Sequence, residues 1–200
     1  MRKMSTLFKV EYIEKGTSGS ISDEVRVENS WVFTEPNSVK ITVKFDGTAC
    51  AIIKGVLHKR YDAKHGKQAP VGAIPCGDAD PISGHHPHWV VVDAGKSENK
   101  YFLEAMRGFM EGRMRSDLAR GLHDGTFELC GERVGINAEQ IKGHVLIRHG
   151  SVLAKLDDMS FSGIRDYLET HDVEGIVFHH DDGRMCKIRK TDFGFKRGGL

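Results

Sequence analysis

Between Val39 and Lys44 apolar residues alternate with polar ones: Val39, Ile41 and Val43 against Lys40, Thr42 and Lys44, the period of a half-buried strand. Asp46-Gly47 has turn chemistry, and Thr48 to Leu57 resumes as an apolar strand, so the pair is expected to form a hairpin. Residues 62–88 are rich in Gly, Pro, His and Asp and predict a long functional or mobile loop. From Glu98 to Leu118, Phe102, Ala105, Met106, Phe109, Met110 and Met114 recur at helical spacing, with the Met stripe read as core packing. Thr126–Cys130 and His144–Arg148 read as strands, and Ser160 or Ser162 caps a short helix through Glu169. Val173–His179 and Met185–Arg189 read as strands around an Asp-Asp-Gly turn. Strands outnumber helices and arrive in hairpins, which predicts an α+β fold: antiparallel sheets packed with helices.

Two hundred residues, 39% hydrophobic and 28% charged, suit one domain over 1–200 with a sizeable core. The formal net charge of +1 hides an uneven distribution. Lys54–Lys67 holds five Lys or Arg against Asp62, and Arg184–Leu200 holds six against Asp192. Such stretches form either a stripe for phosphates or simply solvated faces. Cys50, Cys76, Cys130 and Cys186 make no CxxC pair, and Cys50 and Cys130 stand in apolar runs as small hydrophobes. With no secretory signal and no apolar stretch of membrane-spanning length, an intracellular (cytoplasmic), soluble, reduced protein with no membrane partner is expected.

Four segments carry candidate chemistry: VKFDGT at 43–48, HKRYD at 58–62, TFELCGE at 126–132, and EGIVFH with CKIRK at 174–190. In chain order they supply a lysine at a turn, a basic residue on the next strand, two glutamate strands and a terminal lysine strand. This order resembles motifs I, Ia, III, IV and V of the covalent nucleotidyltransferase superfamily of DNA ligases, RNA ligases and mRNA-capping guanylyltransferases. GHHPHWVVV at 84–92 and LIRHG at 146–150 bring the chain closer to the small ATP-dependent 5′-3′ RNA ligases of viruses, other microbes and vertebrates. The resemblance spans roughly Val39 to Phe195. It implies a nucleotidyltransferase (adenylation) domain of the ATP-grasp-like ligase type. Only ten residues follow Lys190, so no C-terminal oligonucleotide-binding (OB) domain is expected.

By that resemblance Lys44 is the nucleophile that takes AMP from ATP. A free lysine, with a pKa of about 10.4, is protonated at neutral pH, so such a nucleophile needs partial burial and neighbouring positive charge. Lys187, Arg189 and Mg²⁺ are the expected sources. Glu174 is expected to hold the metal (Mg²⁺, with Mn²⁺ as a substitute), Lys187 to contact the α-phosphate, and Glu128 to contact the ribose or the metal. Arg60 suits a 5′-phosphate or the nucleotide phosphates. Asp46 orients the turn, Gly47 gives backbone freedom, and backbone groups near Val43 read the adenine. Phe127 either stacks on adenine or belongs to the core. A two-residue connection (Asp181-Asp182 or Asp182-Gly183) would put Glu174, Lys187 and Arg189 on one sheet face in either register; a three-residue one would bring Lys190 there instead.

Two departures stand out: Ala49 occupies the position where many ligases keep Arg, and the last motif reads Lys-Ile-Arg. Smaller readings compete. His85, His86 and His88 with Cys76 lack a known zinc spacing, and a substrate-side loop is the preferred reading there. Asp157-Asp158 and Asp181-Asp182 have no EF-hand frame. Ser151 and Ser160 lack a GxSxG elbow, and no GxxxxGK[ST] loop occurs. Trp31 and Trp89 read as half-buried packing residues. The expected activity is RNA repair: RNA binding, ATP binding, and joining of 5′-phosphate to 3′-hydroxyl RNA ends. A DNA nick ligase, a guanylyltransferase and a non-catalytic nucleic-acid-binding relative are the alternatives.

Overall fold

The computed structural model describes residues 4–11, 20–81, 83–111, 124–137 and 139–196. In chain order the strands are β1 (Ser5–Thr6), β2 (Phe8–Glu11), β3 (Ser20–Val25), β4 (Val39–Lys44), β5 (Thr48–Ile53) and β6 (Val56–Ala63). They continue as β7 (Ile74–Pro75), β8 (His86–Val91), β9 (Gly125–Gly131), β10 (His144–Arg148), β11 (Gly175–His180) and β12 (Met185–Arg189). The α-helices are α1 (Trp31–Thr34), α2 (Lys100–Met110) and α3 (Phe161–Thr170). The described chain is therefore mixed α+β, mostly sheet with few helices. It divides into two compact units, one made of Met4–Phe45 with Val152 onward and the other of Asp46–Ser151.

The first unit, which carries Lys44, is organised by β11, whose first four residues are buried. Its sheet runs β1-β12-β11-β4, with β1 parallel to β12 and the other pairs antiparallel. Alternation turns Ile176 and Phe178 of β11, with Cys186 and Ile188 of β12, into a core completed by Leu7, Trp31, Ile164 and Leu168. Helix α3 starts where Ser160 caps it, its Oγ accepting a hydrogen bond from the Gly163 amide at 3.1 Å. Ile164 and Leu168, one turn apart, are the α3 side chains buried in that core.

The second unit is an antiparallel sheet in the order β10-β9-β5-β6-β8-β7, with Phe102, Ala105 and Phe109 of α2 buried in its core. The expected helix to Leu118 is observed as far as Met110; Met114 and the rest of that expectation lie outside the described residues. Met106 packs against the core, but Met110 is 63% exposed, so the methionines do not form one core stripe.

The expected hairpin of β4 and β5 does not form. β4 pairs with β11, while β5 pairs with β6 and β9. The tight turn is Lys54-Gly55, both with positive φ (50° and 73°), and the Asp124 carboxylate accepts hydrogen bonds from both amides. Those bonds hold Asp124 below the ordinary carboxylate value. The 62–88 stretch is also more ordered than a loop: β6 runs through Ala63, β7 forms within it, and His86–Val91 is strand. Trp31 and Trp89 are buried, not half-buried. All four cysteines are free, and burial raises the Cys186 thiol to about 12. Among the described residues no helix is long and apolar enough to cross a membrane.

Candidate functional site

Lys44 is the last residue of β4, and its register partner on β11 is Gly175, which in turn faces Arg189 on β12. Gly175 leaves the middle of this row empty of side chain, and it has to: a Cβ there would meet the Ile188 carbonyl oxygen at 2.3 Å. One row inward stand Thr42, Val177 and Lys187. Alternation therefore gives Thr42, Lys44, Lys187 and Arg189 one face of the sheet, while Ile41 and Val43 pack toward the core. The Val43 amide donates to the Val152 carbonyl at 2.9 Å.

The His180 amide donates to the Arg184 carbonyl at 2.9 Å, which leaves Asp181–Gly183 as a three-residue connection between β11 and β12, with Gly183 at φ 93°. Of the two alternatives the three-residue connection holds: Glu174 stands opposite Lys190, whose amide donates to the Glu174 carbonyl at 2.9 Å. Lys190 nevertheless turns its side chain away, Nζ donating to the His171 carbonyl at 3.1 Å. Glu174, just before β11 begins, reaches the row from the strand end. Its Oε2 accepts a hydrogen bond from Lys44 Nζ, with side chains 10% and 20% exposed respectively. Arg189 is gripped by Asp192, which accepts from Nη2 at 2.7 Å, from Nε at 3.1 Å and from the Arg189 amide at 2.8 Å. Burial, reinforced by Arg189 and Lys44, lowers Lys187 below the ordinary lysine value; Glu174 and Asp192 oppose that shift. Beside the row, Thr42 Oγ1 lies 2.8 Å from His179 Nε2.

In the other unit, Asp46 is buried and its Oδ2 accepts from the Ile136 amide at 2.8 Å. Gly135, at φ 64°, lets the chain pass: a Cβ there would lie 2.9 Å from Asp46 Cγ. Gly47 does not supply the backbone freedom expected of it, because its φ is not left-handed. Its role is close approach, since a Cβ would meet the Leu129 carbonyl oxygen at 2.2 Å and Glu128 Cγ at 2.9 Å. Glu128 is part-buried on β9, with Oε2 2.8 Å from His149 Nε2. Phe127, next to it, points the opposite way and is 1% exposed, edge-on to Phe109 with centroids 5.9 Å apart. Of its two readings the core one holds. Arg60 pairs with Asp62 at 2.8 Å, and Lys59 with Glu98 and Asn99 at 2.6 and 2.8 Å. Two of the five cations of the basic stretch 54–67 are thus paired locally, as is Arg184 by Asp182 and Glu35.

Thr42, His149, His179 and Asp192 are polar residues that the sequence reading did not assign. Asp192 was legible as an acid three residues past Arg189; His149 was part of a noted segment without a role. Of the expected metal ligands, Glu174 belongs to the Lys44 unit and Glu128 to the other. Mg²⁺ is held by one or two carboxylates with waters and substrate phosphates, and each of these carboxylates, taken within its own unit, offers the hard oxygens that chemistry uses. Scans against family models and against curated proteins both return no match to this chain.

Proposed function

We propose that this chain is an ATP-dependent RNA ligase that carries AMP on Lys44. The observation that carries the reading is Lys44, hydrogen-bonded to the Glu174 carboxylate, on a sheet face that it shares with the cations Lys187 and Arg189. The motif resemblance supports it, and the nucleotidyltransferase type of the α+β fold is part of the same proposal.

Lys44 Nζ attacks the α-phosphorus of ATP and loses a proton; the N–P bond forms as the P–O bond to pyrophosphate breaks. A 5′-phosphate oxygen of RNA then displaces Lys44 from that phosphorus, and a 3′-hydroxyl finally attacks the 5′-phosphate and expels AMP. Such transfers depend mainly on positioning and charge neutralisation. Glu174 fixes Nζ in the resting state. Lys187 and Arg189 balance phosphate charge, Arg189 in an orientation set by Asp192. When bound, Mg²⁺ would supply further neutralisation of phosphate oxygens, with Glu174 as its holder on the Lys44 sheet. Arg60 gives up its exposed pair with Asp62, worth about 0–1 kcal/mol, in favour of a phosphate.

The test is label transfer from α-phosphate-labelled ATP or GTP in Mg²⁺ without nucleic acid, followed by sealing of nicked RNA and nicked DNA. Labelling by ATP and sealing of RNA ends is the expected result. Labelling by GTP points to a capping-type guanylyltransferase, sealing of DNA alone to a nick ligase, and no labelling to a binding relative.

A further inference from the structure

Glu128 is the part-buried carboxylate of β9, and its two cross-strand neighbours, Ala49 on β5 and Ile147 on β10, have no hydrogen-bond donor in their side chains. The sheet alone does not orient it. Its stem is confined where Gly47 brings the backbone close, since even a Cβ at Gly47 would stand 2.9 Å from Glu128 Cγ. The tip is met by His149, the first residue past β10, with Nε2 2.8 Å from Oε2.

His149 is itself held in place. Its amide donates to the Thr126 carbonyl at 3.1 Å, on the strand that carries Glu128. The turn that follows closes through Gly150, at φ 74°, with the Ser151 amide and hydroxyl both donating to the Arg148 carbonyl. Its Nδ1 is buried with no hydrogen-bond partner among the described residues. A hydrogen on Nδ1 would thus be buried without an acceptor, whereas a hydrogen on Nε2 has the carboxylate. The imidazole donates from Nε2, and Oε1 takes no hydrogen bond among the described residues.

We infer that His149 is a positioning residue: it clamps one oxygen of Glu128 so that the other is fixed for a ligand of acceptor-seeking chemistry, a sugar hydroxyl or a hydrated divalent cation. What that ligand serves rests on the nucleotidyl-transfer reading of Lys44. Partners that orient a ligating carboxylate typically change affinity or activity by about 10–100-fold when removed.

The experiment measures self-labelling with ATP and Mg²⁺ across ATP concentrations for the wild type, His149→Phe, His149→Gln, Glu128→Gln and the Glu128→Gln/His149→Phe double variant. Thermal melts accompany each. The expected result is that His149→Phe lowers the labelling rate constant over apparent KM by about 10–100-fold. His149→Gln, whose amide nitrogen reaches the same place as Nε2, recovers most of that loss. In the Glu128→Gln background His149→Phe adds less than about twofold. Wild-type labelling by His149→Phe overturns the inference; so does a glutamine variant as impaired as the phenylalanine one, or a full additional loss in the double variant. Failure of the wild type to label is instead a failure of the Lys44 reading. The clamp is then decided by heteronuclear NMR of the ring nitrogens: an Nε2–H tautomer that responds to Glu128→Gln upholds it, and an Nδ1–H tautomer or an indifferent ring overturns it.

Discussion

On the Lys44 sheet, each of two cations is held by a carboxylate of its own. Lys44 meets Glu174 at a strand end, Arg189 is bound three times by Asp192, and a glycine keeps the row between them clear. On the six-stranded sheet, Glu128 has apolar cross-strand neighbours and its contact with His149. The first arrangement divides orientation between two separate carboxylate pairs, so removing one carboxylate leaves the other pair in place. The second concentrates it in one hydrogen bond, whose loss frees the carboxylate tip while the stem stays confined beside Gly47. The Lys44 arrangement has a further consequence: it assembles Lys187 among like charges and half-buries it, so it is bought with fold stability.

Substitutions separate these features. Glu174→Gln removes the negative partner of Lys44 while keeping the backbone bond to Lys190, and is expected to lower self-labelling about a hundredfold or more with little change in melting temperature. Gly175→Ala and Gly47→Ala each drive a Cβ into a backbone carbonyl, and each is expected to destabilise by about 1–3 kcal/mol in denaturant unfolding. The first also disturbs the Lys44 row, the second the Glu128 stem, so their effects on labelling report which arrangement tolerates displacement better.

Asp192→Asn is expected to destabilise by about 1–2 kcal/mol, because a buried acceptor of the Arg189 amide is weakened, and to cost a smaller factor in labelling than Glu174→Gln. The smallest effect concerns Lys187. Its folded pKa is lowered, by burial first, so between that lowered value and the ordinary lysine value the unfolded chain binds more protons. Stability therefore rises with pH across that alkaline window. Lys187→Met is expected to abolish this rise and to stabilise the fold at neutral pH, while labelling falls; urea unfolding at a series of pH values checks it.

Local pattern sufficed for β9, β10, β11, β12 and a serine cap on α3, which the structure places at Ser160 rather than Ser162, because alternation and capping act over a few residues. Pairing was not local, and there sequence reading failed. The Asp46-Gly47 turn looked like a hairpin, yet the partner of β4 is β11, with Lys44 and Glu174 separated by 130 positions. Lys54-Gly55, which does form the tight turn, lacks the usual Asn-Gly or Asp-Gly signature. The β11–β12 connection, open between two and three residues in the sequence, is three residues long, and the register it sets puts Lys190 opposite Glu174. Phe127 could have been decided in advance: adjacent strand residues face opposite ways, so a polar-facing Glu128 requires a buried Phe127. His149 could not, since its contact with Glu128 depends on the β9–β10 register and on the turn after β10.

Label transfer to Lys44→Ala beside the wild type tests the central claim most directly. With α-phosphate-labelled ATP and Mg²⁺, the wild type is expected to acquire covalent, acid-labile label and Lys44→Ala, folded by its melting curve, none. Equal labelling of both proteins, or a wild type that stays blank, would contradict it.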